Sequence, residues 1–432
     1  MGLFSIQYSV PHPYFQRHTD FIKRIEVAPN PNLGLTVVIP SYNEPNLLQS
    51  LNAIAACSKP NCAVEVIVVI NYPQGAELNV IENATESERI VLKTNELANS
   101  ETFRFYPIMA TNLVPKQAGV GLARKIGMDE AAWRFLQVEN PNGIIACFDA
   151  DSTCEPNYLV ELEKLWQNKP CTSGCSVNYK HPIAGNEYEP AIYDGIAAYE
   201  LHLRYYVEAG RFIGHPHSYA TIGSSMACSA ETYLKFGGMN RRKAGEDFYF
   251  LQKIIPNGNF AELNSTCIYP SPRPSLRVPF GTGRAMSKYL ENPDIPISTY
   301  SIESWLVLKA FLDKVDQLVD SNIEPQDFLL TLHPSLAAFL KVNGFEEKLT
   351  EIRSNTSNAK AFTKRFYLWF DAFSLLKYLN FAHEKYFERQ PIAKEAKGLC
   401  RLIGIETNGE STTDLLIAFR QKQQSTFWEP SL

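Results

Sequence analysis

A chain of 432 residues is long enough for two domains, or for one large domain with an appendage, and for a full hydrophobic core. Hydrophobic residues make up 45% and charged residues 20%, an ordinary globular balance that excludes a fibre or a disordered polymer. The formal charge of -5 excludes the general basic face that phosphate backbones recruit. Nucleic acid is therefore not an expected partner, and any nucleotide should be met in a local site.

Residues 1–17 carry no basic run followed by an apolar stretch, and nowhere do about 18 uncharged apolar residues run together. We expect no integral membrane segment and a cytoplasmic protein; peripheral contact with membrane lipid stays compatible with this pattern. Met1-Gly2 is no myristoylation signal, because Ile6 stands where Ser or Thr is required. Nine cysteines, an odd count, fit reduced thiols.

Taken in chain order, residues 35–39 (LTVVI) form a continuous apolar, β-branched run, the mark of a strand buried on both faces. Asn46 is placed to cap the following helix, in which Leu47, Leu51 and Ile54 recur at helical spacing. A second strand is expected at Val64–Ile70, a helix from about Glu77 to Leu97, a third strand near Phe103–Ile108, a helix from Gly119 to Gln137 and a fourth buried strand at Ile144–Phe148. Such alternation predicts a parallel, doubly wound α/β sheet with its ligand site at the carboxyl ends of the strands. A helix near Tyr158–Gln167, a strand near Thr172–Asn178, a long aromatic helix near Glu187–Ala209 and a helix opening at Glu246 follow. From about Glu303 helical spacing takes over, as in Trp305–Val319 and Phe362–Phe381. The expected organisation is an N-terminal extension over 1–32, an α/β domain over 33–290 and a helical C-terminal region over 291–432.

Asp149-Ala150-Asp151 directly follows the fourth strand. If strand geometry persists to its tip, residues two apart point to one side and both carboxylates face one ligand. Two close carboxylates repel, a bound cation relieves them, and hard oxygens suit Mg²⁺ or Mn²⁺ with positions left for phosphate oxygens. Solvated turn aspartates are the plain alternative. Glu246-Asp247 opens a helix after a Gly-rich turn, where acidic residues also favour the macrodipole without further role. Adjacent helical residues diverge by about 100°, so these two cannot share one task. The first strand ends in Pro40-Ser41-Tyr42-Asn43-Glu44, which sets a ring, hydroxyls, an amide and a carboxylate where a base or ribose would sit. Arg124, in the helix opened by Gly119-Val120-Gly121, is a candidate for phosphate or for structural pairing, and a lone Gly-x-Gly is weak evidence for either.

TVVIPSYNE (36–44), GVGLARKIG (119–127), FDAD (148–151) and GGMN followed by GED (237–247), in that order, resemble the family-2 glycosyltransferases of the GT-A, nucleotide-diphospho-sugar transferase fold. The likeness spans about residues 33–290 and leaves the helical C-terminus outside. It implies a GT-A type, doubly wound, mostly parallel sheet; a nucleoside-diphosphate sugar donor, UDP- or GDP-linked; and Mn²⁺ or Mg²⁺ as cofactor. It further implies that Pro40, Ser41, Tyr42 and Glu44 contact the base or ribose, and that Arg124 holds the nucleotide end. Asp149 would face ribose and metal, Asp151 would ligate the metal, and Asp247, beside Glu246, would be the general base. Asn71 stands after the second strand where the family often has an acidic residue, and an amide both donates and accepts.

Arg273, Arg277 and Arg284 lie in SPRPSLRVPFGTGR, read as an irregular loop able to close over a diphosphate with forked donors. The Gln-x-x-Arg-Trp motif of related processive enzymes is absent, which implies non-processive transfer. His215 and His217 are weighed as metal ligands, as acceptor-pocket lining and as structural residues. Two alternatives to an inverting transferase remain: a sugar nucleotidyltransferase, whose usual Gly-rich loop is replaced by PSYNE, and a catalytically silent sugar- or protein-binding module. The acceptor is not readable.

Overall fold

A computed structural model describes residues 12–275, 281–426 and 428. Eight strands share one sheet: β1 (Leu33–Ser41), β2 (Ala63–Pro73), β3 (Phe103–Leu113), β4 (Ile144–Cys147), β5 (Thr153–Cys154), β6 (Gly174–Tyr179), β7 (Met226–Ser229) and β8 (Phe260–Tyr269). Their order is β3-β2-β1-β4-β7-β6-β8-β5. The first four are parallel neighbours, β7 runs antiparallel to both β4 and β6, β6 and β8 are parallel, and β5 closes the edge antiparallel to β8. The helices of the first part of the chain are α1 (Pro13–Arg17), α2 (Leu47–Ala55), α3 (Leu78–Ala98), α4 (Val120–Gln137) and α5 (Tyr158–Asn168), followed by α6 (Pro190–Phe212), α7 (Ala230–Lys235) and α8 (Glu246–Ile254).

Strand periodicity sends successive side chains to opposite faces, and both faces are covered. Leu35, Val37 and Ile39 of β1 and Val64, Val66 and Val68 of β2 share a core with Leu47 and Leu51 of α2, Val91 of α3 and Leu162 of α5. On the other face α4 presses its Gly127 against Val38 and Val69, and its Met128 against Cys147. The fold is α/β, with a doubly wound, mostly parallel sheet and a helical C-terminal region.

Helix α4 is buried on its outer side as well. There α1 and the segment after it cover it: Tyr14 of α1 donates to Asp129 at 2.6 Å, the N–H groups of Arg24 and Ile25 donate to Glu130 at 2.9 and 3.2 Å, and Arg134 donates to the Val27 carbonyl at 2.8 Å. Toward the sheet, Arg134 grips Glu65 of β2 with two bonds of 2.5 and 2.6 Å. A helix this rich in charge tolerates burial because each charge meets a partner.

The chain divides into two compact units, one comprising the residues up to Tyr179 with Thr221–Pro270, the other Lys180–Ala220 with the residues from Ser271. In the second unit α6 packs through Leu201 and Tyr205 into a helical core that includes Trp305, Phe311, Phe366, Tyr378 and Phe419. Burial alone would raise the Glu200 carboxyl, but Arg204 at 2.8 Å, His181 at 3.0 Å and Arg420 at 2.7 Å hold it well below the usual range. Among the described residues no helix is long and apolar enough to cross a membrane.

Candidate active site

Because β2 and β3 lie on one side of β1 and β4 on the other, the strand order reverses between β1 and β4, and their carboxyl ends flank the crevice that such a reversal opens. Val38 pairs with Cys147, and the Phe148 N–H donates to the Val38 carbonyl at 3.0 Å, so the two chain segments leave the sheet side by side. From β1 emerge Pro40, the buried Ser41, Tyr42, Asn43 in the left-handed region at φ 46, and the buried Glu44. Glu44 accepts the Asn46 N–H at 2.9 Å, and Asn46, although it stands at the N-cap of α2, makes no side-chain cap bond, contrary to expectation. Asn71 is buried near the end of β2, one residue beyond the Ile70 that pairs with Ser41.

Asp149 and Asp151 do not continue β4 as an extended strand. The chain turns, with the Ser152 N–H donating to the Asp149 carbonyl at 3.0 Å, so strand alternation does not set the direction of the two carboxylates. Asp149 is about one-third exposed at its side chain (36%) and pairs with Arg124 at 2.5 Å.

Arg124 draws three of the four sequence motifs together. Its buried guanidinium donates to Asp149, lies 3.2 Å from Glu246 through Nε, and donates to the Gly223 carbonyl. Burial works against its charge, yet Asp149 and Glu246 raise its proton affinity above the ordinary value. The direct nucleotide contact that the resemblance implies for Arg124 would compete with the hydrogen bonds its two terminal nitrogens already make, while its Nε faces Glu246 without a hydrogen bond. The partner absent from sequence reasoning is Gly223, a backbone carbonyl; its one signal is the small-residue run Gly223-Ser224-Ser225 before β7.

The close approach of the third motif has a steric cause. A side chain at Gly121, in the first turn of α4, would collide with the carbonyl oxygen of Arg242, so the glycine admits the loop before α8. Gly245 then turns that loop at φ 69, where a Cβ is disfavoured, and caps α8. Glu246 is buried and its carboxyl is pushed up to about 7 by burial, with Asp247 adding and Arg124 opposing. An arginine neighbour normally lowers a carboxyl, and here desolvation wins. Asp247 is half-buried and its affinity for a proton is also raised by burial, with Arg124 opposing. It accepts the Phe248 N–H at 2.7 Å.

The remaining candidates belong to the second unit or fall outside the described residues. Arg273 and Arg284 belong to the second unit, and Arg284 sits in the helix Thr282–Glu291 rather than in the expected irregular loop. Arg277 lies outside the described residues. His215 and His217 are buried in the second unit, edge-on to each other, with His215 at 3.0 Å from the Phe370 carbonyl and against Tyr367. Burial lowers them to about 4 and about 3, which keeps both neutral. A cavity of about 260 Å³ in the same unit, bordered by Leu306, Phe311, Lys314, Leu332 and His333, contains none of the four motifs.

For a divalent cation, Asp149 and Asp151 supply hard oxygen donors, while no set of three or more His, Cys, Asp or Glu side chains gathers as a metal centre among the described residues. Two carboxylates suit Mg²⁺ or Mn²⁺ that shares its remaining positions with water and phosphate oxygens.

No family model matches the chain, and no curated protein does. Among solved structures it is similar to S. aureus TarS 1-349 in complex with UDP-GlcNAc, at 12% identity and a TM-score of 0.38 over 91% of each chain. The same protein in complex with UDP gives 13% identity and 0.39 over 78% of this chain and 91% of that one. A likeness of this size is no basis for a function, which has to be argued from the residues of the site.

Proposed function

We propose that this chain is a metal-dependent, inverting, non-processive glycosyltransferase that moves a sugar from a UDP- or GDP-sugar to an acceptor hydroxyl. The observation that carries the reading is the contact of Arg124 with Asp149 and Glu246, which gathers one acidic pair at the strand reversal and a second pair, of raised proton affinity, at the start of α8.

The chemistry follows from those groups. Pro40, Ser41, Tyr42, Glu44 and Asn71 line the end of β1 and β2, where a base and ribose would be received. Asp149 and Asp151 would hold Mn²⁺ or Mg²⁺, which when bound offsets the charge of the leaving diphosphate. Arg124 keeps Asp149 oriented and adds a fixed positive charge behind it. As the acceptor oxygen attacks the anomeric carbon, Asp247 takes its proton, a task favoured by a carboxylate whose proton affinity is already raised. One displacement inverts the anomeric centre. A cytoplasmic enzyme in peripheral contact with membrane lipid fits this scheme.

The test is thermal unfolding with a panel of UDP- and GDP-sugars, with and without Mn²⁺ or Mg²⁺. A donor at about 100 times its dissociation constant should stabilise the protein by about 2.7 kcal/mol, and only when metal is present. If no sugar nucleotide shifts the melting under any metal condition, the reading is overturned; a shift without turnover favours the silent binding module. Mass spectrometry of products from the donors that shift then identifies the acceptor class.

A further inference from the structure

Two thiols of the first unit touch. The Sγ of Cys57, just past the end of α2, lies 3.6 Å from the Sγ of Cys154 in β5. Cys57 is buried and Cys154 is partly exposed, so the pair has one side toward solvent. The backbones that carry them are already pinned together: the Ser58 N–H donates to the Pro156 carbonyl at 2.7 Å, and the Ser50 hydroxyl donates to the Ser152 carbonyl at 2.7 Å. A disulfide needs the sulfurs about 2.05 Å apart, a closure within reach of side-chain rotation and a small approach of two segments already bonded to each other. The Cys57 thiol is pulled below its ordinary value by the hydrogen bond from Cys154, against burial, and the thiolate is the reactive form.

We propose that Cys57 and Cys154 are an oxidation site that closes a reversible disulfide and thereby stiffens the acidic turn Asp149–Ser152, which runs straight into β5. The oxidant is a peroxide. The Cys57 thiolate attacks one peroxide oxygen, the O–O bond breaks, and the departing hydroxide takes a proton to become water, leaving a sulfenic acid on Cys57. The Cys154 thiol gives up its proton and its sulfur attacks the sulfur of Cys57; the S–S bond forms, the S–O bond breaks, and a second water leaves. Two thiols and one hydrogen peroxide thus yield one disulfide and two waters. On the reading above, the stiffened turn is the one that carries the donor-facing carboxylates, but the site itself stands on the thiol geometry.

The experiment treats the full chain with hydrogen peroxide and digests it without reduction. The expected product is a peptide pair joined through Cys57 and Cys154, about 2 Da lighter than the two thiol peptides together, and separated again by a reductant. Hydrogen exchange of peptides covering 148–158 should slow several-fold in the oxidised protein, and should not slow in Cys57→Ser or Cys154→Ser treated alike. Oxidation of the exposed Cys171 without any Cys57–Cys154 link overturns the site, and a link that leaves exchange over 148–158 unchanged overturns its effect on the turn. Neither readout uses a sugar nucleotide, so failure here and failure of the transferase reading leave different signatures.

Discussion

Glu246 and Asp247 are neighbours in sequence with different surroundings. Glu246 turns to Arg124 at 3.2 Å and is buried, whereas Asp247, about 100° around the helix, keeps part of its surface open. If Asp247 is the base, Asp247→Asn should lower transfer by about 10²–10⁴-fold with donor affinity nearly unchanged, measured by turnover and by calorimetric titration. Asp151→Ala should instead weaken metal-dependent donor binding in the same titration; unchanged binding would remove it from the metal. Glu246 adds a pH signature. Its carboxyl holds a proton up to about 7 in the fold, against about 4.5 when exposed, so its contribution to stability is fully present below the exposed value and is lost as pH rises through about 7. Glu246→Gln removes that titration. Denaturant melts of the two proteins should coincide around pH 4 and separate above about pH 7, with the Gln variant more stable by about 1–3 kcal/mol. Parallel melts across the range would show that Glu246 does not titrate there. At this scale the acidic pairs were legible as motifs, one after a buried strand and one after a Gly-rich turn, and Asp149 and Glu246 meet on Arg124. The turn that carries Asp149 and Asp151 was not, since a backbone can leave a strand at any residue, and the Gly223 carbonyl was not, since every residue has one.

At the scale of elements, β1, β2 and β4 were legible because a strand buried on both faces leaves an apolar run, as residues 66–70 do, and β3 was legible from the aromatic and apolar residues at its start. Strands β7 and β8 were not. The first is four residues long, and the second mixes polar Glu262, Asn264 and Ser265 with partly exposed positions, which erases both the run and the alternation. The stretch 362–381, whose apolar residues recur at helical period, is shared by two helices, because Asp371 accepts the Ser374 N–H and caps the second. Helix α4 is the element on which the site leans, since it carries Arg124 toward the crevice and Arg134 toward Glu65. The Glu65–Arg134 pair is fully buried, so Glu65→Ala leaves an uncompensated guanidinium and should cost about 3–5 kcal/mol in a urea melt. The double variant Glu65→Leu, Arg134→Met should recover most of that loss. A single variant as stable as the parent would mean that water or another group reaches Arg134.

At the scale of the whole molecule, the residues assigned to donor and metal come from distant parts of the chain, 40–44, 71, 124, 149–151 and 246–247, and all of them fall within the first unit. The second unit has a separate aromatic core and holds Glu200, Arg204, Arg420 and His181 as a closed charge network of its own. A ligand stabilises what it touches and whatever unfolds with it, so the two units offer an internal control. Hydrogen exchange with a UDP- or GDP-sugar and Mn²⁺ should show added protection in peptides covering 40–46, 120–126, 148–153 and 243–250. Peptides of the helices Pro334–Val342 and Ile392–Ile403 should exchange as before. Protection confined to those helices would move the donor out of the crevice between β1 and β4 and with it the roles of Asp149, Asp151 and Asp247. Protection at 148–153 that requires metal, together with protection at 40–46 that does not, would separate the two halves of the donor: the carboxylates answering to the diphosphate, and the end of β1 answering to the nucleoside.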